Sequence, residues 1–190
     1  MASASFSRAL CAGLLVALLC GLLVPQARAS VYASKDLALR EAFPDAERIE
    51  EQSFVLTADQ AQAIEARAKA PLERQIWTLY SAYRGATLLG SAVIDVRNVR
   101  TLPEALLIVI APDGSVRSLR VLAFHEPSEY QPSARWLAQM DGKRLGPELH
   151  LKRAIHTIAG ATLSSQAVTR SVRTALALYQ VLLGNDAAAE

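Results

Sequence analysis

The sequence predicts an α+β domain, an antiparallel sheet with helices packed on one side. Three observations predict it. From Gln75 onward the apolar residues change to a period of two, in successive runs split by short turns. Pro112-Asp113-Gly114 joins two of those runs into a hairpin, with Gly114 free to take a positive φ. A last segment reaching about Leu183 has helical apolar spacing and is long enough to cover a sheet.

The elements follow in order. Lys35–Phe43 reads as a helix, with Leu37, Leu39 and Phe43 apolar and Pro44 ending it. Glu50–Leu56 alternates weakly, as a strand does. Thr57-Ala58-Asp59-Gln60 fits a capping box, Thr57 reaching forward and Gln60 back. The helix it opens runs to about Lys69, with Ala61, Ile64 and Ala68 as its apolar stripe. Ile76, Leu79 and Tyr83 place a strand that ends near Arg84, and Arg84-Gly85 turns into Thr87–Val96. Ala105–Ala111 is apolar throughout, which predicts a central strand, and Val116–Phe124 is its return partner. Glu126-Pro127-Ser128 is a loop. Ser133–Met140 reads as a short helix, Asp141-Gly142 as a turn and Leu151–Ile158 as a short extended stretch. Ser164 or Ser165 caps the final helix. Its apolar face is Val168, Val172, Ala175, Leu176, Tyr179, Leu182 and Leu183, and Gly184 and Asn185 stop it.

Residues 1–29 read as an export signal, cleaved or kept as an N-terminal anchor. Ser3–Arg8 is polar and positive, Ala9–Val24 is unbroken apolar, and Pro25 precedes the small-x-small site Ala27-Arg28-Ala29. Cleavage is the favoured outcome, because the run falls short of the ~20 residues of a spanning helix. The division that follows is 1–29 leader, 30–75 N-terminal helical extension, 76–184 the main domain and 185–190 a disordered tail. The leader also explains the charge. The chain is +2, with 20 basic and 18 acidic residues, and the leader holds Arg8 and Arg28 but no acid. The remainder is 18 against 18, so no basic face suggests nucleic acid. Both cysteines, Cys11 and Cys20, also lie in the leader. The remainder therefore cannot build a disulfide framework, a cysteine zinc site, an iron–sulfur cluster or a thiol nucleophile.

The chemistry concentrates in Ile158-Ala159-Gly160-Ala161-Thr162-Leu163-Ser164-Ser165. Gly160 and Ala161 allow close backbone approach. The helix after them offers unpaired N–H groups and the positive end of its dipole, which suits a phosphate. On spacing alone the same hydroxyl cluster also serves as an ordinary N-cap. No G-x-S-x-G elbow, Rossmann fingerprint or P-loop is present. His125, His150 and His156 lack metal-ligand spacing, so neither a metal site nor catalytic side chains are expected. Trp77 and Trp136 read as core, and Arg97 and Arg100 as solvated surface.

Gly160-Ala161-Thr162-Leu163-Ser164-Ser165 ahead of an apolar-periodic helix resembles the signature of the FMN-binding domain family. That family includes the RnfG and NqrC subunits of membrane electron-transport complexes and stand-alone exported proteins. Ile108–Val116, then Val121–Phe124 with His125 and Glu126, resembles the family's hairpin and its His-x-Glu loop. The resemblance spans roughly Leu106–Leu183. It implies a phosphoester between FMN and Thr162, made by a flavin transferase, with Gly160, Ala161, Leu163, Ser164, Ser165 and Glu126 around the cofactor. It also implies an exported electron relay beside a membrane redox partner, a haem or iron–sulfur protein. Two positions depart from the family pattern. His156 stands where an acidic residue is common, and Ala159 where Ser or Thr is common. These carry the alternative, a non-redox binding or assembly module on the same fold.

Overall fold

The computed structural model describes residues 30–31 and 34–184. The expected leader and tail lie outside the described residues. The strands are β1 (Ser30–Val31), β2 (Arg48–Val55), β3 (Ile76–Arg84), β4 (Thr87–Asn98), β5 (Pro103–Ile110) and β6 (Val116–Phe124). The helices are α1 (Lys35–Ala42), α2 (Ala58–Ala68), α3 (Ala134–Leu137) and α4 (Thr162–Leu182). All the strands join one antiparallel sheet in the order β1-β6-β5-β4-β3-β2. Residues 30–75, expected as a helical extension, thus supply β2 on one edge and β1 on the other, with α1 and α2 between.

The sheet is covered on both faces, not on one. Leu79, Val93, Leu106, Ile108 and Ile110 meet α2 and α4 through Ile64, Ala68, Val168, Val172 and Leu176. On the reverse face α1 lays Ala38, Leu39 and Phe43 on Tyr80, Ala82, Ala92, Leu107 and Val109. The cause is visible in β5. From Ala105 to Ile110 it is apolar at every position, so it has no solvent face and needs cover on both sides. The expected fold class stands; its one-sided layering does not.

Local chemistry fixes the ends of the elements. Thr57 and Gln60 exchange both capping-box bonds, at 3.2 and 3.0 Å. Gly90 sits at φ +149, where an added Cβ would come within 2.6 Å of the Ile110 carbonyl oxygen. Only glycine lets β4 run that close to β5 at the irregularity opposite Ala82 and Tyr83. The β5–β6 turn places Gly114 at φ +79. The Asp113 carboxylate holds that turn, accepting from the Ser115 amide at 3.0 Å and its hydroxyl at 2.6 Å. Those bonds, with Arg144, lower its pKa to about 2.

Two sequence expectations fail locally. Leu151–Ile158 is not an extended stretch; it makes a single bridge between Leu151 and Ile155 and is otherwise turn and irregular chain. Its order comes from outside: the Trp136 indole N–H donates to the His156 carbonyl at 2.7 Å, and Gln139 Oε1 accepts from the His156 N–H at 3.0 Å. The final helix begins at Thr162, ahead of both expected caps, Ser164 and Ser165. Ala161 stands at the N-cap and no side chain caps it.

α4 anchors the remaining loops. Arg173, 4% exposed, donates to four backbone carbonyls: Ala68, Arg67, Gly146 and Leu149, at 2.7–3.1 Å. Two of these belong to the last turn of α2, where the dipole favours a cation. At the far end, the Tyr179 hydroxyl donates to the Pro112 carbonyl at 2.8 Å. α4 therefore runs from the β4–β5 loop end of the sheet to the β5–β6 turn.

Candidate functional site

At the N-terminus of α4 a cleft of about 260 Å³ opens between three segments. The β4–β5 loop gives Val99 and Arg100. The chain after β6 gives Glu126 and Tyr130. The start of α4 gives Gly160, Ala161, Thr162, Leu163 and Ser164. Six of the seven residues expected at the site therefore line one cavity: Glu126, Gly160, Ala161, Thr162, Leu163 and Ser164. Ser165 does not. Its hydroxyl is buried, accepts from the Ile158 N–H at 2.9 Å and donates to the Ala161 carbonyl at 3.1 Å.

That pair of bonds explains the early start of the helix. Ser165 ties the incoming loop to the first turn from inside, so no side chain caps the outer side. The amides of the first turn are left toward the cleft with the positive end of a 21-residue helix. Gly160 precedes them at φ +77, with open space where a Cβ would stand. Thr162 itself is exposed and lines the cleft beside those amides. Ser164 is 1% exposed, and its Oγ has no hydrogen-bond partner among the described residues.

Glu126 has a second task. Its Oε1 accepts from three consecutive amides, Arg100 at 3.2 Å, Thr101 at 2.7 Å and Leu102 at 2.8 Å. These N–H groups, led by Leu102, hold its pKa below the ordinary carboxylate value. Glu126 therefore shapes the wall that carries Val99 and Arg100, and keeps its own charge in doing so. His125 braces the same corner: its backbone N–H donates to the Pro103 carbonyl, and its Nδ1 lies 3.0 Å from that oxygen.

Sequence reasoning missed Val99 and Tyr130 as cleft residues and gave Arg100 to bulk solvent. Nothing in a single sequence brings the β4–β5 loop to a helix sixty residues away. The Glu126 side chain does so through backbone amides, which leave no residue-type signal. Arg97 is also corrected. It is buried, not solvated, 2.7 Å from the buried Asp95 and 3.5 Å from Glu73. Trp77 and Trp136 are buried in the core. Among the described residues, no three His, Cys, Asp or Glu side chains are placed to hold a metal ion.

The cleft's residues fit the phosphate end of a flavin nucleotide. The observations are the uncapped first turn, the open glycine, the orphaned Ser164 hydroxyl and an exposed threonine beside them. Arg100 is the cation among the lining residues.

The family model described as FMN-binding domain matches residues 103–177. Among solved structures, the crystal structure of NqrC from Shewanella oneidensis is similar with a TM-score of 0.55 at 12% identity, over 84% of this chain and 91% of that one. At that identity the likeness is one of fold. A sequence comparison with curated proteins finds no match.

Proposed function

We propose that this chain, which carries an FMN-binding domain over residues 103–177 on an NqrC-like fold, is an exported electron relay that holds FMN through a phosphoester on Thr162. A flavin-binding electron-transfer module is the coarse assignment. The covalent bond, the export and the partners are our reading. The observation that carries it is the exposed Thr162 at the uncapped first turn of α4, inside the cleft.

Bound FMN supplies the redox chemistry, accepting one or two electrons. The chain's residues supply position and electrostatics. The amides of Thr162, Leu163 and Ser164 and the helix dipole would hold the phosphate, which keeps one negative charge once it is a diester. The buried Ser164 hydroxyl, without a partner among the described residues, would be a further donor beside it. Glu126 fixes the opposite wall. Leu163 and Tyr130, 47% and 38% exposed, offer an apolar rim to a ring system. The cleft is open, so the ring stays within reach of a partner, which suits a relay. The ester needs a flavin transferase, and the electrons need a membrane redox partner, a haem or iron–sulfur protein.

The second reading, a non-redox binding module, rests on His156 and Ala159. His156 is exposed, and both its backbone groups are held by Trp136 and Gln139. Those bonds run through the backbone, so the side chain at 156 takes no part in them and stands on the surface that a transferase would meet. The test is the visible spectrum of the chain purified after co-expression with a transferase. A yellow protein that bleaches with dithionite and recovers in air supports the relay. A folded, colourless protein supports the binding module.

A further inference from the structure

We propose that the end of the domain carrying the cleft rests on a lipid bilayer, with apolar side chains on both faces of the sheet entering the interface. Seven large apolar side chains are exposed among the described residues, and six cluster at this one end. Val55, Ile76 and Val96 form a row on the reverse face, 72%, 60% and 50% exposed, beyond the reach of α1. Leu102 stands in the β4–β5 loop, and Tyr130 and Leu163 rim the cleft. Singly such residues are ordinary; a shared end marks an interaction surface.

The route of the chain selects lipid as the occupant. Ser30 pairs with Phe124, the last residue of β6, so the preceding segment enters at this same end. Only residues 25–29 separate it from the apolar run Ala9–Val24. Five residues span at most about 18 Å. A run seated in the bilayer therefore holds this end of the sheet against the headgroups, where partly exposed aliphatic and aromatic side chains are stabilised. The proposal rests on residues 1–29 being kept as an anchor, the alternative to cleavage, and its test does not depend on bound flavin.

The test uses the full chain reconstituted in phosphatidylcholine–phosphatidylglycerol vesicles, with Cys11 and Cys20 replaced by Ser. No other cysteine exists, so single probes can be placed at will. A fluorophore is attached in Val96→Cys or Leu102→Cys, and in Ala86→Cys at the opposite end as control; circular dichroism checks that each is folded. Doxyl-labelled lipids should quench the first two several-fold more than the control. Equal quenching at both ends of a vesicle-bound chain overturns the proposal and leaves the export reading intact. A chain that washes off the vesicles overturns the proposal together with the anchor reading of residues 1–29. Shielding of Val96→Cys in native membranes without doxyl quenching assigns the surface to a protein partner and also overturns it.

Discussion

Thr162 and Ser165 stand three residues apart with similar chemistry and opposite fates. Thr162 is exposed on the cleft, while Ser165 is buried and consumed by Ile158 and Ala161. The sequence shows that a hydroxyl cluster precedes a helix; it does not show which hydroxyl folds inward, because that depends on the loop before it. Glu104 shows the same limit. It is 1% exposed, with neither carboxylate oxygen hydrogen-bonded, across the ladder from Arg97. Burial raises its pKa from 4.5 to about 7, against the pull of Arg97. The sign follows. Below about 4.5 both states hold the proton. From there to about 7 the unfolded chain ionises while the folded one does not, so stability falls as pH rises and then levels. The loss is about 3 kcal/mol. Glu104→Gln removes it. Urea unfolding at pH 4.5 and pH 8 should show the variant gaining by about that amount on the wild type. Parallel profiles would refute the assignment.

At the scale of elements, local signals were legible where they were self-contained. The Thr57–Gln60 capping box, the Pro112–Gly114 turn and the strands it joins appear close to their expected bounds. The stretch 151–158 was not legible, since its order is imposed by Trp136 and Gln139 from another segment. The junction of α2, α4 and the loop at 146–149 is of the same kind. It depends on one guanidinium, that of Arg173. Arg173→Met keeps the bulk but leaves four carbonyls without their donor. It should cost about 3 kcal/mol, with the urea midpoint lowered and the slope unchanged. A change under about 0.5 kcal/mol would show that water replaces the guanidinium at little cost.

At the scale of the molecule, the periodic runs predicted an antiparallel sheet with a long covering helix, and the fold is that. The second layer was hidden in plain sight. The continuous apolar character of β5 required cover on both faces, and α1 supplies it. The cleft arises only at this scale, where the β4–β5 loop, the chain after β6 and the start of α4 meet at one end of the sheet. That end gathers the cleft at the start of α4, its apolar rim and the entry of the N-terminal chain. The central claim is that Thr162 is the residue to which FMN is joined. Its most direct measurement is peptide mass spectrometry after co-expression with a flavin transferase and denaturation. Trypsin cleaves after Arg153 and Arg170 and releases Thr162 within one peptide. The account predicts flavin fluorescence in that peptide and a mass increase of FMN less one water, fragment-mapped to Thr162 and absent from Thr162→Ala. An unmodified peptide from a folded chain that had met an active transferase, or FMN mapped to another residue, would contradict it.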